Sequence, residues 1–113
     1  MKTIIAGSRT VQDYALVTAA IAEAGWHPTL VISGTAPGVD KLGELWARRN
    51  NIPIKRFPAN WMRYGRAAGY LRNCNMAEHA EALIAVWDGK SRGTSSMIEI
   101  ATERGLSVYV KVV

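Results

Sequence analysis

The sequence predicts an α/β fold in three layers: a five-stranded parallel sheet with helices packed on both faces. Three observations carry that prediction. Five short apolar, β-rich runs begin near Thr3, Thr29, Ile52, Leu83 and Leu106. Between them lie segments whose apolar residues recur at helical spacing, the alternation of a parallel sheet covered on both sides. With 113 residues, 49% of them hydrophobic, and no repeat or low-complexity tract, the chain reads as one domain over residues 1–113.

Each element follows from its residues. Thr3 to Ala6 is the first strand, and Gly7-Ser8-Arg9-Thr10 is where it turns. Tyr14, Val17, Ala20, Ile21 and Ala24 then mark one helix face up to Gly25, a C-terminal stop. Thr29 to Ile32 is the second strand, followed by the loop Ser33-Gly34-Thr35-Ala36-Pro37-Gly38. Val39, Leu42, Leu45 and Trp46 define a second amphipathic helix that ends near Asn50-Asn51. Ile52 to Phe57 is the third strand; Pro53 cannot donate to a ladder, which puts this strand at or near a sheet edge. Pro58 to Gly65, with Trp61 and Tyr64, is expected to be a loop, either packed over the sheet or forming part of a ligand wall. Arg66 to Glu81 is alanine-rich and helical. Leu83 to Trp87 is the fourth strand, the next helix runs from about Thr94 to Arg104, Gly105 ends it, and Leu106 to Val112 is the fifth strand.

Composition narrows the function classes. Fourteen Lys and Arg against nine Asp and Glu give a net charge of +5, which favours anionic partners. No acidic residue lies between Glu44 and Glu78, where Arg48, Arg49, Lys55, Arg56, Arg63, Arg66 and Arg72 all fall. That run is either a solvated basic face or a surface that attracts phosphate or nucleic acid. Cys74 is the only cysteine, so no disulfide framework is expected and a reducing cytoplasm is compatible. No apolar run approaches the roughly 20 residues of a membrane span, and the N-terminus opens into a strand rather than a basic, apolar leader. The expectation is a cytoplasmic protein with no membrane partner. His27 and His79 stand apart from each other and from Cys74, so neither a metal site nor a cofactor is predicted.

In a parallel sheet of this kind the ligand sits outside the carboxyl ends of the strands, where strand order reverses. The loops after the first, second and fourth strands lie at that end, and these three combine glycine with hydroxyl or basic residues. Gly7-Ser8-Arg9 places a guanidinium at a strand-to-helix turn, suited to a planar oxyanion contact or merely solvated. In the second loop Gly34 and Gly38 permit close approach of backbone to a ligand, and Asp40 falls in the first helical turn, where it also suits the helix dipole. In the third, Gly89-Lys90-Ser91-Arg92 leads to a helix start at Gly93-Thr94-Ser95-Ser96, where unpaired N–H groups and the positive end of the macrodipole suit a phosphate. The Walker pattern fails, because Ile84 stands where its first glycine belongs, and no GxGxxG occurs. No Ser, His and Asp set can be assembled for nucleophilic catalysis. Of the four tryptophans, Trp61, beside Arg63 and Tyr64, is the one placed to stack on a base; Trp46 and Trp87 suit core packing or a subunit interface.

Some of these segments match known families. Gly7-Ser8-Arg9 and Ser33-Gly34-Thr35-Ala36-Pro37-Gly38-Val39-Asp40 resemble the GSR and SGxAxG(I/V)D motifs of the DNA-processing protein A family, which binds single-stranded DNA. Arg72-Asn73-Cys74-Asn75-Met76-Ala77, followed by Leu83-Ile84-Ala85-Val86, resembles the RKxxMA segment and next strand of the cytokinin-activating LOG phosphoribohydrolases. From Ile4 to about Leu106 the chain resembles the SLOG superfamily of Rossmann-like domains, most closely its YspA-type branch of small bacterial and phage proteins. The resemblance implies a Rossmann-like sandwich with strand order 3-2-1-4-5 and, since related proteins are often dimers or larger, a homo-oligomer. LOG enzymes carry PGGxGTxxE after the fourth strand, and its glutamate acts with the RK arginine on the N-glycosidic bond of a nucleoside monophosphate. Here Gly93-Thr94 is retained, but Ser96 and Met97 occupy the region of the glutamate, and Asn73 replaces the lysine.

The expectation is a binding domain for a nucleotide or nucleotide-derived ligand. Its phosphate would be held by Gly89, Lys90, Arg92, Gly93, Thr94 and Ser95. The rest would meet Gly7, Ser8, Arg9, Ser33, Gly34, Gly38 and Asp40, with Arg72 and Asn73 contributing from the third helix. Two alternatives stand beside it. One is a nucleoside-monophosphate N-glycoside hydrolase using Arg72 with a relocated carboxylate, Glu99 or Asp88; the other is a single-stranded nucleic-acid binder working through the basic segment from Arg48 to Arg72.

Overall fold

The computed structural model of the protein describes residues 1–113. Strands β1 (Lys2–Gly7), β2 (Leu30–Ser33), β3 (Ile54–Arg56), β4 (Ala82–Trp87) and β5 (Ser107–Val112) form one sheet in the order β3-β2-β1-β4-β5. Every pairing is parallel, and the order is the expected one. Period-two alternation sorts the strand side chains between two cores. Ile5, Val31, Ile84 and Val86 pack with Val17 and Ile21 of α1 (Tyr14–Ala24) and Val39 and Trp46 of α2 (Val39–Arg49). Ile4, Ala6, Ile32, Leu83 and Ala85 pack on the opposite face with Met76 of α4 (Ala68–His79) and Met97 and Ile100 of α5 (Arg92–Glu103). The inner stretches of β1 and β4 are buried on both faces, as parallel strands under two helical layers must be.

Three boundaries depart from expectation. The segment Pro58 to Gly65, expected as a loop, contains a single-turn helix, α3 (Trp61–Tyr64), continued by a 3-10 turn over Gly65–Ala67. Asn60 starts it by accepting the Arg63 N–H on its side-chain oxygen at 3.1 Å. β3 is shorter than Ile52 to Phe57 because the Ile52 N–H closes α2 on Ala47 O and Pro53 has no N–H to donate; the Pro53 carbonyl still accepts from Val31. β3 is an edge strand, as Pro53 implied. Finally, α5 begins at Arg92 rather than Thr94, with Ser91 as its N-cap.

The chain leaves β1 for β2 and β3 with α1 and α2 on one face, then returns to β4 on the other side of β1. Strand order therefore reverses between β1 and β4, and a crevice opens at their carboxyl ends. Ser8 seals its base: its N–H donates to Val86 O at 3.1 Å, and its Oγ accepts the Asp88 N–H at 3.0 Å. Gly38 brings the β2–α2 turn against the turn after β1. At φ 81° it adopts a backbone that L side chains rarely take, and a Cβ there would stand 2.5–2.7 Å from Ser8 O, Arg9 O and Arg9 Cα.

Candidate functional site

A cavity of about 380 Å³ occupies this crevice. Four arginines line it: Arg9 from the turn after β1, Arg66 from the turn after α3, Arg72 from α4 and Arg92 from α5. Its single carboxylate is Asp40, in the first turn of α2. Trp61 and Tyr70 give it an aromatic rim, and Ala6, Met76 and Met97 give it an apolar floor.

The start of α5 leaves backbone N–H groups unpaired. Ser91 Oγ accepts the Thr94 N–H at 3.5 Å and shares a 3.1 Å hydrogen bond with Thr94 Oγ1, while Ser91 O takes the Ser95 N–H. The N–H groups of Arg92 and Gly93 have no acceptor in the protein, and they sit at the positive end of a 12-residue helix. The preceding turn is different. Asp88 Oδ1 accepts the Lys90 and Ser91 N–H groups, each at 2.8 Å, and these bonds hold its carboxyl below the ordinary aspartate value. The Asp88, Lys90 and Ser91 amides ahead of the helix are thus already used within the chain, and Lys90 does not line the cavity.

Arg72 and Asn73 tie the two sides of the crevice together. Arg72 Nη1 donates to Gly34 O, Arg72 Nε donates to Asn73 Oδ1 at 3.0 Å, and Asn73 Nδ2 donates to Gly93 O at 3.3 Å. One bridge therefore runs from the β2–α2 loop through α4 to the start of α5. Gly34 lets it form, since a Cβ there would stand 2.7 Å from Arg72 Nη1 and 2.8 Å from Asp40 Oδ2. Burial and neighbouring Arg9 pull the Arg72 guanidinium below its ordinary value, with Asp40 opposing them.

Asp40 is 6% exposed. Burial pushes its carboxyl up to about 6, although the Ala36 N–H on Oδ2 at 3.1 Å and the charges of Arg72 and Arg9 act in the other direction.

The sequence-predicted residues divide into three groups. Gly7, Arg9, Asp40, Arg72, Asn73, Arg92, Gly93 and Thr94 converge on the cavity. Ser8, Ser33, Gly34 and Gly38 stand behind its wall: Ser8 and Ser33 are buried and hydrogen-bonded to Asp88 and Glu44, and the two glycines allow close packing. Gly89, Lys90 and Ser95 are exposed and do not line it. Glu99, the alternative catalytic carboxylate, is exposed on α5 outside the lining, whereas Ser96 and Met97 lie within it. Arg66, Gly69, Tyr70 and Ser91 complete the wall without having been singled out for it. The signal was present, because residues 66, 69, 70, 73 and 76 share one helical face.

The basic segment is dispersed. Arg48 and Arg56 pair with Glu44, Arg49 lies over the Tyr14 ring, and Arg66 and Arg72 enter the cavity. No three His, Cys, Asp or Glu side chains cluster, and no helix is long and apolar enough to cross a membrane.

Comparison with known proteins agrees with this architecture. The chain is 30% identical over 116 residues to the Gene 61 protein of Mycobacterium phage D29, covering 95% of this chain and 93% of that one. No solved structure matches the chain. A profile described as the YspA, cpYpsA-related SLOG family matches residues 1–64, which carry β1 through α3 and with them Arg9, Asp40 and Trp61. The chain belongs to the YspA, cpYpsA-related SLOG family.

Proposed function

We propose that the cavity binds a nucleotide or nucleotide-derived ligand, with its phosphate at the start of α5. The observation that carries this is the convergence of four arginines and two unpaired helix-start N–H groups on one crevice with an aromatic rim. Arg92, with the Arg92 and Gly93 N–H groups, supplies the anion contact; Arg72 and Arg9 add charge, and Trp61 and Tyr70 offer faces for a base. Membership of the SLOG family supports a Rossmann-like ligand-binding domain, and the choice of a nucleotide rests on the cavity's chemistry. A calorimetric screen of the folded chain against nucleoside mono- and diphosphates, cyclic dinucleotides and ADP-ribose tests it. Binding that weakens about tenfold or more in Arg92→Ala is expected, and no binding at millimolar concentration sinks the proposal.

A second reading has one observation in its favour: Asp40 borders the cavity with a carboxyl pushed up to about 6, near enough to neutrality for acid–base work. If the site hydrolyses N-glycosidic bonds, Asp40 is its carboxylate, in place of Glu99 or Asp88. Release of free base from a nucleoside monophosphate, abolished in Asp40→Asn, is its signature; intact nucleotide after prolonged incubation excludes it.

A further inference from the structure

Asp40 is held on one side only. Its Oδ2 accepts the Ala36 N–H at 3.1 Å and lies close over Gly34, but Oδ1 accepts nothing from the protein. No sealed side-chain nitrogen or oxygen in the protein lacks a partner, so Oδ1 is open, and the cavity is what Asp40 borders. None of the protein's ion pairs includes it; Arg72 and Arg9 act on it from beyond contact distance. Burial of the rest of the residue makes the charge costly to keep, and any donor that reaches Oδ1, water or ligand, comes through the cavity.

The chemistry of that visitor is constrained. A carboxylate only accepts, so the group facing Oδ1 is an O–H or N–H donor. A phosphate placed there would meet like charge, which keeps the anionic end at the start of α5. An ammonium would have to enter past four arginines. A neutral donor joined to an anion remains, and an inorganic oxyanion is not such a ligand. The aromatic faces belong to another wall, Trp61 on α3 and Tyr70 on α4, so a base seated there leaves the sugar for the α2 side.

We infer that Asp40 Oδ1 accepts a hydrogen bond from a sugar hydroxyl of the ligand, so that the site takes ribonucleotide-like molecules in preference to forms lacking those hydroxyls. The inference rests on the nucleotide reading above and goes beyond it in assigning what Asp40 selects.

The test is calorimetry on the full chain with AMP and GMP, each against its 2′,3′-dideoxy counterpart, and with inorganic phosphate. The ribo forms are expected to bind at least about tenfold more tightly, as befits a hydrogen bond to a charged acceptor. In Asp40→Asn the preference disappears, while the Asn oxygen still accepts the Ala36 N–H. The preference also shrinks in the wild type as pH falls through about 6 and Asp40 takes up a proton. The groups facing it are Arg72 on α4, Arg9 after β1 and Glu44 on the next turn of α2; taking the ratio of the two nucleotide forms cancels the titration of the phosphate they share. Equal binding of both forms by the wild type, or a preference that survives in Asp40→Asn, overturns the assignment and leaves the nucleotide reading standing. If both nucleotides and phosphate fail to bind the folded chain, both fall. The wild-type comparison decides the matter even where the variant does not fold.

Discussion

Asp40 and Glu44 sit one turn apart on α2, both almost sealed at 6% and 2% exposure, and the protein treats them in opposite ways. Glu44 is fully provided for. Its Oε2 accepts the Ser33 hydroxyl at 2.6 Å, its Oε1 accepts Arg56 Nε at 3.0 Å, and Lys41 and Arg48 stand within 4.0 Å. Against the penalty of burial, the Ser33 and Arg56 bonds hold its carboxyl below the ordinary glutamate value. Asp40 has one backbone N–H and an open oxygen, and burial pushes its carboxyl up. Position along the helix makes the difference. The first turn of α2 faces the crevice at the carboxyl ends of the strands, while the second reaches the end of β2 and edge strand β3, which supply Ser33 and Arg56. One carboxylate is satisfied by the fold, and the other is left for a ligand.

The largest expected effect tests the satisfied side. Glu44→Ala takes the acceptor from the buried Ser33 O–H, whose oxygen keeps only the Thr35 N–H, and frees a cluster of cations, so it should lower stability by about 3 kcal/mol, less than a fully dry ion pair because Arg56 is half exposed and rehydrates. Urea denaturation reads this directly; a loss under about 1 kcal/mol would mean that the cluster is not what holds the β2–β3 edge.

Asp40→Asn tests the open side, and its effect depends on pH. The native carboxyl is raised from 3.8 to about 6, so as pH rises the unfolded chain releases its proton first. Between roughly pH 4 and pH 6 the native state binds more protons, and the contribution of Asp40 to stability falls across that window before levelling. Asn has no such slope, so the variant should gain on the wild type by on the order of 2–3 kcal/mol between pH 4 and pH 7. Glu44 runs the other way: its contribution is present above its unfolded value and is lost as pH falls through the lowered native one. Paired denaturation curves at the two pH values check this, and an unchanged difference between variant and wild type would contradict an open, buried Asp40.

This contrast also marks how far the sequence could be read. The strand order followed only from the family resemblance; the α/β class and helix placement followed from short apolar runs alternating with segments of helical spacing, and Pro53 marked an edge, because strands buried on both faces read as continuous apolar runs. The three loops that converge were visible for the same reason. Asp40 and Glu44 could not be told apart, since which acceptor is filled depends on Ser33 and Arg56 arriving from β2 and β3. Lys90 was read ahead of Arg92 as the phosphate contact, but Asp88 takes the Lys90 and Ser91 amides, Ser91 starts α5 two residues earlier, and it is Arg92 that lines the cavity. α3 was missed because one turn of helix with no buried residue leaves no periodic pattern.

Gly34→Ala should strike the open side alone. The new Cβ would press on Arg72 Nη1 and Asp40 Oδ2, both ends of side chains, while the Ser33–Glu44–Arg56 cluster is untouched. A stability loss of about 1–2 kcal/mol is expected, together with roughly tenfold weaker nucleotide binding. Normal affinity in this variant would show that the Arg72 bridge to Gly34 O is dispensable for the ligand.

The smallest effect on stability should come from Arg9→Ala, and it sharpens the comparison most. Arg9 is exposed at the cavity rim, so its removal should shift stability by no more than about 0.5 kcal/mol. It is nonetheless one of the two cations that lower the carboxyl of Asp40, so that carboxyl should titrate at higher pH in the variant, and the window over which Asp40→Asn gains on its parent should widen upward. Arg56→Ala, which removes a cation from Glu44 instead, should cost about 1 kcal/mol and leave the Asp40 window where it is. Measuring both windows in both backgrounds separates a carboxylate governed by the cavity from one governed by the fold. If Arg9→Ala and Arg56→Ala moved the Asp40 window alike, the two carboxylates would share one electrostatic environment, and the open oxygen of Asp40 would no longer set it apart.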